Sequence, residues 1–533
     1  MTSRRRRGFL RGGAVAAFAA LVLLPALGTM EVSREQELRV ALTARRMAGG
    51  GSWLVPEYAG RARLQKPPLL YWVVATAFRA AGTVRSAAVA RLPTALFGVG
   101  LCVAIGLGGR GLVGRRPAFA AALAAASSYL LLRYARLAET DVPMAFFVTL
   151  ASLGLWRALQ RPPAFGRWAA AGAWAGLGFL TKGLGALLPF VTVAAHAAAH
   201  GPSRRRLRPA AVLLALLCFA AVAAPWYAAI LRAPATGGAA RETVSAELGT
   251  LLSRQRHGQP LVFYVYTLLP VLLPAGLFLP CALARLARRA RRHARDRFLA
   301  AWWLGTFVLL TALPSKQMHY TLLLLPPSAL AIGAYLRPVF AGRLPRGSFI
   351  PAGAAILCGA LTLAGLSLAV LPAFTADVDP AAGLAAGLAV AAPAAAGLLW
   401  RRGPRARARA LAVLAAAPGL LWAAERVLYP LDDGKSVVPA FFARARPMLD
   451  AAPNAASVGR MRPMLSFHAG RDLGEPHDWA SAVRDARPGD AILVYADRYG
   501  DVAMEGAAWA PALEMRRKDV RLALYLAPPP AER

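Results

Sequence analysis

The sequence predicts an all-α polytopic membrane protein that carries a small C-terminal α/β domain outside the membrane. Three observations support this fold class. Of the 533 residues, 57% are hydrophobic, long apolar stretches recur almost from end to end, and these stretches stop near residue 430. An apolar stretch of about 17 residues or more spans the hydrocarbon layer of a bilayer. The chain therefore has enough apolar segments for many membrane crossings.

About thirteen stretches have the length and composition of transmembrane helices. They lie near residues 12–30, 86–108, 116–132, 142–158, 166–182, 184–200, 208–231, 261–287, 297–314, 320–340, 348–372, 380–400 and 406–428. The break at Lys182-Gly183 leaves two alternatives open, one broken helix or two separate helices. The first stretch also fits a signal peptide, but its length favours a retained helix.

The formal net charge of +37 sets the orientation in the membrane. In a soluble protein this charge would point to nucleic acid, but here the arginines lie in short loops between apolar stretches, as the positive-inside rule expects. We therefore expect no nucleic-acid partner. Four arginines, Arg4 to Arg7, place the N-terminus in the cytoplasm, and alternation then makes every later cytoplasmic loop arginine-rich. The composition is typical of a high-GC bacterial genome, so we expect the bacterial inner membrane.

The remaining segments divide the chain into two predicted domains. Residues 1–430 form the transmembrane domain, which includes a long periplasmic first loop over 31–85. Residues 431–533 form a small periplasmic α/β domain, in which "DAILVYAD" and "VRLALYLAP" have the composition of strands and "WASAVRDAR" that of a short helix.

The first loop contains an amphipathic helix and a rigid lysine. After Glu37 and Arg39, the residues Val40, Thr43 and Met47 fall on one apolar helical face, so the helix can lie along the membrane surface. Ordinary solvated charges explain this segment equally well. In "QKPPLLYW", two prolines fix the backbone beside Lys66 and an interfacial aromatic run follows. The sequence thus predicts a cation at the depth of a lipid phosphate, with a snorkelling lysine as the alternative.

Acids and further cations lie in the other predicted periplasmic segments. "RLAETDVPMAFF" places Glu139 and Asp141 where a span begins, either as a helix cap or in a cavity between helices. The cations and aromatics on this side are Lys182, Arg254, Arg256, His257, Lys316, His319 and Tyr320. This combination predicts phosphate binding beside acid–base chemistry. His257 and His319 fit phosphate contacts or structural roles better than a metal site, although a divalent metal remains an open alternative.

An ordered series of motifs resembles the ArnT-like and protein-O-mannosyltransferase-like membrane glycosyltransferases, which have the GT-C fold. The series is "GSWLVP", "KPPLLYW", "RLPTALFG", "RLAETDVPMAFF", "GFLTKGLGALLP", "APWYAAIL" and "SKQMHYTLLLLPPSALA". It covers roughly residues 30 to 340 in order, and the C-terminal domain is similar to that of the ArnT branch. The resemblance implies transfer of a sugar from a polyprenyl-phosphate lipid to a lipid A, glycan or protein acceptor on the periplasmic side.

The resemblance also implies residue roles. Lys66 would hold the donor phosphate, assisted by Arg39, by Arg254 or Arg256, and by Lys316 or Tyr320. Asp141 would stand at the second acidic position of the site. The chain departs from the family pattern at two positions, since Gln36 replaces the first-loop aspartate and Gln65 replaces the acid before Lys66. An amide does not accept a proton at neutral pH, so the general base is expected to be Glu37 or Asp141.

Two other functions remain as alternatives. A polytopic transporter has a similar number of spans, but transporters usually show internal repeats and charge at the membrane midplane, whereas here the charge lies at one edge. A non-catalytic relative that binds polyprenyl lipid would account for Gln36 and Gln65.

Overall fold

The computed structural model is mostly helical and describes most of the chain. The described residues are 3–160, 164–233, 259–341, 349–374, 379–400, scattered positions between 408 and 423, 437–459, 462–474, 478–496, 509–517 and 520–528. The predicted span over 406–428 therefore lies largely outside the described residues.

The first half of the chain consists of helices and one two-residue hairpin. The elements are α1 (Ser3–Leu23), α2 (Glu35–Ala48), β1 (Glu57–Tyr58), β2 (Arg61–Ala62), α3 (Leu69–Ala80), α4 (Ala87–Val103), α5 (Arg110–Val113), α6 (Arg115–Ala126), α7 (Tyr129–Tyr134), α8 (Asp141–Gln160), α9 (Phe165–Lys182), α10 (Leu188–Ala198), α11 (Gly201–Arg204) and α12 (Pro209–Arg232). A π-helical turn, Ala104–Gly108, continues α4, and a 3₁₀ turn, Leu184–Leu187, precedes α10.

The second half continues the helical bundle and ends in a mixed α/β unit. The elements are α13 (Phe263–Val271), α14 (Leu279–Ala290), α15 (Ala294–Ala312), α16 (Leu325–Tyr335), α17 (Arg337–Ala341), α18 (Ile350–Val370), α19 (Pro380–Leu399), α20 (Val437–Ala451), β3 (Ala455–Gly459), α21 (Arg462–Ala469), α22 (Trp479–Asp485), β4 (Ala491–Ala496), β5 (Leu513–Arg517) and β6 (Val520–Leu526). Three 3₁₀ turns join them, Ala275–Phe278, Met318–Leu323 and Leu371–Ala373.

Five described helices are both long enough and apolar enough to cross a membrane. They are Ala87–Val113, Asp141–Gln160, Pro209–Arg232, Ile350–Ala373 and Pro380–Leu399. These two criteria do not establish the predicted count of about thirteen, because other predicted spans are short or interrupted. The stretch 261–287, for example, is not one helix, since Pro270 and Pro274 interrupt it and it divides into α13, a 3₁₀ turn and α14.

The chain divides at Lys182 into two separate helices. The backbone of Gly183 has φ of 88° and ψ of −133°, a conformation that only glycine adopts without strain. Helix α9 ends immediately before it and α10 follows after the 3₁₀ turn. The sequence left this point open, and the structure resolves it in favour of two helices.

The C-terminal unit is a four-stranded sheet in the order β3-β4-β6-β5. Strands β3 and β4 are parallel, with Ala455 opposite Ala491, and the other two pairs are antiparallel, with Leu493 opposite Leu524. The predictions of a strand at 490–497, a strand at 520–528 and a helix at 479–487 are confirmed by β4, β6 and α22. The sequence analysis did not identify β3 and β5.

The two faces of this sheet are covered differently. On one face, Trp479 of α22 packs with Ile492 and Tyr525. The other face belongs to a core shared by α20, α21 and the two first-loop helices α2 and α3, where Tyr71 and Phe78 pack in the same cluster as Phe441 and Leu493. The first loop and the C-terminal unit therefore lie on the same side of the helical bundle. The amphipathic face predicted for α2 is confirmed, because Val40, Thr43 and Met47 are buried.

Candidate functional site

A buried ion pair joins the start of α8 to the end of α9. Asp141 is in the first turn of α8 and is only 4% exposed, and one carboxylate oxygen, Oδ1, accepts a hydrogen bond from Lys182 Nζ. A carboxylate at a helix N-terminus and an ammonium at a helix C-terminus each complement the helix dipole. Because α8 and α9 are neighbours that run in opposite directions, the end of one meets the start of the other. This pairing brings two charges from distant sequence segments to one edge of the bundle.

His319 and Tyr320 complete the wall around this pair. They come from the 3₁₀ turn Met318–Leu323, and His319 Nε2 lies 3.9 Å from Asp141 Oδ1. Burial lowers the pKa of His319 to about 4, against the opposing field of Asp141. The imidazole is therefore neutral near pH 7, and its contact with Asp141 is not an ion pair at that pH. Lys182 Nζ lies 4.8 Å from the Tyr320 ring centroid, a cation–π arrangement.

A second ion pair forms the rim of the site. Arg34 Nε donates to Glu139 Oε1 at 2.9 Å, and the Arg34 guanidinium also lies 5.9 Å from the Tyr134 ring centroid. The Tyr134 ring in turn lies 5.7 Å from His319. Burial raises the pKa of Glu139, and Arg34 opposes that rise. Residues from the first loop, the second loop and the turn after α15 thus meet at this point.

Lys66 lies at the same site, as the sequence predicted for a rigid cation. It is partly buried between exposed Gln65 and buried Pro67, immediately before α3. It is close enough to interact electrostatically with both Asp141 and His319. The structure therefore gathers Lys66, Asp141, Lys182, His319 and Tyr320, which we call the cation–carboxylate cluster. Such a site suits a ligand that carries a negative charge next to a polar group. The fixed cations offset the negative charge of the ligand when it is removed from water.

Glu37 has a different environment from Asp141. Both of its carboxylate oxygens accept from Arg91, Nε to Oε1 at 2.7 Å and Nη2 to Oε2 at 3.0 Å, and Oε1 also accepts from the amide of Ala138 at 3.0 Å. The side chain is fully buried. Three donors thus occupy the Glu37 carboxylate, whereas the contacts of Asp141 with Lys182 and His319, within the part of the chain that the structure describes, both fall on Oδ1.

Two other predicted phosphate ligands, Arg39 and Lys316, have partners outside the cation–carboxylate cluster. Arg39 pairs with Glu35 on the surface of α2 and lies near Tyr58. The Lys316 ammonium donates to the backbone carbonyls of Leu313 at 2.7 Å and Gln259 at 3.3 Å. Arg254 and Arg256 lie outside the described residues.

The sequence analysis did not pair Lys182 or His319 with Asp141, and it did not single out Arg34 or Tyr134. Lys182 carried a usable signal, since a lone lysine followed by Gly183 ends an apolar stretch. The charge of Arg34 is one among several in "EVSREQELR", and nothing in that run distinguishes it.

Within the part of the chain that the structure describes, no group of three or more histidine, cysteine, aspartate or glutamate side chains is arranged to hold a metal ion. At the cluster, the carboxylate of Asp141 already accepts from an ammonium. Among the described residues, this carboxylate and the His319 imidazole are fewer ligands than a divalent cation usually takes.

These features describe a helical bundle with several helices long and apolar enough to cross a membrane and a cluster of cations around a buried carboxylate at one edge. The family model for dolichyl-phosphate-mannose-protein mannosyltransferases matches residues 65–228. The undecaprenyl phosphate-alpha-4-amino-4-deoxy-L-arabinose arabinosyl transferase of Pseudomonas aeruginosa is 31% identical over 328 residues, and that of Edwardsiella ictaluri is 28% identical over 334 residues. Each match covers 60% of this chain and 58% of the relative, so the chain matches less than two thirds of these relatives.

Solved structures agree with the fold. The crystal structure of ArnT from Cupriavidus metallidurans bound to undecaprenyl phosphate superposes with a TM-score of 0.73 at 20% identity, covering 96% of this chain and 97% of that one. Its apo form gives the same TM-score. The chain therefore has the ArnT-like GT-C fold, and the predicted resemblance to these membrane glycosyltransferases is confirmed.

Proposed function

We propose that the chain is a glycosyltransferase that moves a sugar from a polyprenyl-phosphate donor to an acceptor on the periplasmic side of the bacterial inner membrane. The observation that carries the proposal is the cation–carboxylate cluster, in which a buried carboxylate, two ammonium groups and a neutral imidazole meet at one edge of a helical bundle. The acceptor is a lipid A, a glycan or a protein. The sugar is a pentose or a hexose, and the arabinosyl transferase names of the relatives favour a pentose.

The proposed reaction inverts the anomeric centre. Asp141 takes the proton from the acceptor hydroxyl, the acceptor oxygen forms a bond to the anomeric carbon, and the bond from that carbon to the phosphate oxygen breaks. The polyprenyl phosphate leaves with the bonding electrons, and Lys66 and Lys182 offset its charge. The reaction needs no general acid, because a phosphate that is neutralised by cations is already able to leave.

Of the two predicted bases, the geometry favours Asp141. A general base needs a lone pair directed at the proton that it removes. The carboxylate of Glu37 receives three hydrogen bonds inside the protein. Among the described residues, both contacts of Asp141 fall on Oδ1, which leaves Oδ2 for the acceptor. We assign Glu37 to holding the first loop in place. Tyr320 lines the phosphate subsite, Arg254 and Arg256 stay predicted ligands, and the contacts of Arg39 and Lys316 support structural roles.

The proposed topology follows the arginine distribution. The arginines near the N-terminus indicate that it lies in the cytoplasm. With about thirteen spans, the first loop 31–85 and the domain 431–533 then lie in the periplasm. The core shared by α2, α3 and the C-terminal sheet supports one common side for these two parts. Cysteine tags in 31–85 and 431–533 that are accessible from outside, together with a tag at the N-terminus that is not, would agree with this orientation.

A transfer assay tests the activity. Proteoliposomes with the full chain receive a labelled polyprenyl-phosphate sugar and an envelope lipid extract as acceptor. We expect transfer by the unmodified chain and a loss of about 10²- to 10⁴-fold for Asp141→Asn, the range typical of a general base. Asp379→Asn is the matched control, because Asp379 caps a helix at Ala382 N and asparagine preserves that role. Full transfer by Asp141→Asn would contradict the mechanism.

Gln36 and Gln65 favour a second candidate function, a protein that binds polyprenyl lipid without transferring a sugar. Both amides are exposed, and each stands where the family pattern has an acid. The same proteoliposomes separate the two functions, because this candidate predicts retention of labelled donor lipid with no labelled product for any acceptor supplied.

A further inference from the structure

A groove lies between α4, α8 and α9 at the membrane edge opposite to the cation–carboxylate cluster. Its volume is about 510 Å³. Arg157 marks its open end and follows Asp141 by 16 residues in the same helix, which corresponds to about 24 Å along the axis. The open end of the groove, with its two arginines, is therefore distant from the candidate active site.

Close helix contact forms the floor of the groove. A Cβ atom at Gly100 would lie 3.0 Å from the Phe146 ring, and one at Gly108 would lie 2.5 Å from Leu153 Cδ1. A larger residue at either position would require the Phe146 ring or the Leu153 side chain to shift. The two glycines thus let these helices meet beneath the groove, while α9 forms its outer wall.

The walls are apolar and aromatic. Val103 and Leu107 line one side, Leu150 lines the floor, and Ala170 and Trp174 line the side formed by α9. Trp174 is 37% exposed, and its ring stacks on Phe147 at 6.1 Å and 20°. From Phe146 to Arg157 the groove extends about 16 Å along α8, close to half of the roughly 30 Å hydrocarbon thickness of a bilayer. An acyl chain from one leaflet fits this length and polarity.

Two arginines stand at the open end. Arg157 Nη2 donates to the carbonyls of Leu107 at 3.1 Å and Gly108 at 3.3 Å, which belong to the π-helical turn that continues α4. Such turns often occur at functional sites. Arg167 is exposed at the start of α9, and among the described residues its side chain makes no ion pair. Both guanidinium groups line the groove, so its open end is positive and its interior is apolar.

We propose that this groove binds an anionic glycerophospholipid of the leaflet opposite to the active site, with an acyl chain along Phe146 and Trp174 and the phosphodiester headgroup between Arg157 and Arg167. Basic pockets between membrane helices bind anionic headgroups, and arginine pairs well with phosphate oxygens. The phosphate of the polyprenyl donor is a poor candidate for the open end of this groove, since Asp141 of the cation–carboxylate cluster lies about 24 Å away along α8. The proposal does not depend on glycosyl transfer.

Lipid retention tests the proposal without an activity measurement. The full chain is reconstituted into nanodiscs with equal amounts of phosphatidylglycerol and phosphatidylethanolamine, returned to mild detergent and examined by native mass spectrometry. We expect retained phosphatidylglycerol in excess over phosphatidylethanolamine. Arg167→Gln should reduce phosphatidylglycerol retention about tenfold, because it removes a charge-assisted contact with the phosphate. Ala170→Phe fills the groove and should reduce retention of both lipids.

Matched substitutions separate the groove from the rest of the surface. Arg288→Gln removes an exposed arginine of α14, and Ala220→Phe enlarges an exposed apolar position of α12, both outside the groove. We expect neither to change lipid retention, and thermal unfolding identifies any variant that fails to fold. Equal retention of the two lipids by the unmodified chain would overturn the proposal. So would undiminished phosphatidylglycerol in both groove variants, or preferential retention of added polyprenyl phosphate in its place.

Discussion

Arg91 of α4 holds Glu37 of α2 through two hydrogen bonds of 2.7 and 3.0 Å, and the two side chains are only 3% and 1% exposed. The same guanidinium donates to the carbonyls of Leu27, Met30 and Glu31. Arg91 therefore fixes the end of the first segment, the start of the first loop and helix α2 to the membrane bundle. Removing one partner of a buried ion pair leaves the other charge without compensation in a medium of low polarity.

Arg91→Met should destabilise the protein by about 3–5 kcal/mol, because it leaves Glu37 buried and unpaired and removes donors from three carbonyls. Thermal unfolding in detergent measures the loss, and proteolysis of the first loop should accelerate. Arg85→Met is the control. Arg85 also forms a two-bond ion pair, with Asp450 at 2.7 and 2.9 Å, but these partners are 29% and 46% exposed, so the cost should be at most about 1 kcal/mol. Equal losses in the two variants would refute the distinction.

Glu37→Gln and Asp141→Asn should fail in different ways. Glu37→Gln removes the charge opposite Arg91, so it should lower the unfolding temperature, and its transfer rate should recover under conditions that stabilise the fold. Asp141→Asn also removes a charge from a buried pair, with Lys182, but its transfer rate should stay about 10²- to 10⁴-fold low under those stabilising conditions, because the amide does not accept the acceptor proton. Unfolding curves and the transfer assay, measured on the same preparations, distinguish these outcomes. A folded, inactive Glu37→Gln beside an active Asp141→Asn would make Glu37 the base.

Much of the fold was predictable because its signals are local. Apolar stretches identify helices from composition, and the face of α2 was readable from three residues at helical spacing. The breaks within 261–287 were missed, although Pro270 and Pro274 marked them, because hydropathy averages over interruptions. In strand β5, "LEMRR", Leu513 and Met515 alternate with Glu514 and Arg516 and pack on the core, but two apolar residues are too few to identify a strand from sequence. Its position is set by pairing with β6.

The sequence predicted that the residues of the candidate site share one side of the membrane, and it predicted their types. It did not predict the contacts between them. The sequence placed Lys66, Asp141, Lys182 and His319 on one face of the membrane. It did not show that Lys182 would pair with Asp141, because that contact depends on how α8 and α9 pack. Nor did it show that the Glu37 carboxylate is paired with Arg91, which lies 54 residues away in the sequence. A carboxylate suited to catalysis and one suited to structure look the same in sequence, and only their hydrogen-bond partners separate them.

Lys66→Met and Lys316→Met compare two lysines that the sequence treated alike. Lys66 lies within electrostatic reach of Asp141 and His319, whereas the Lys316 ammonium bonds two backbone carbonyls. Lys66→Met should raise the KM for the donor lipid by about 10-fold or more, the effect of losing one charge-assisted contact with a phosphate. Lys316→Met should lower thermal stability and leave that KM within about twofold. A large rise in KM for Lys316→Met alone would reverse these assignments.

His468 should make the contact between the first loop and the C-terminal domain sensitive to acid. Its Nε2 accepts a hydrogen bond from the amide of Val32 at 3.3 Å, and its ring stacks on Phe442 at 5.5 Å. Burial, followed by the positive charges of Arg91 and Arg446, lowers the pKa of His468 to about 3. A protonated Nε2 can no longer accept from Val32.

The sign of the pH effect follows from that lowered pKa. The unfolded chain takes up a proton at His468 near pH 6.5, whereas the folded protein does so only near pH 3, so stability is lost as the pH falls through this window, by up to about 1.4 kcal/mol per pH unit. His468→Gln keeps an acceptor for Val32 but does not titrate. We expect the unfolding temperature of the unmodified chain to fall between pH 7.5 and pH 4.5 by several degrees more than that of His468→Gln, since about 2 kcal/mol separates them at the lower pH. Other histidines contribute equally to both proteins and cancel in the difference, so identical pH profiles would show that His468 does not control this contact.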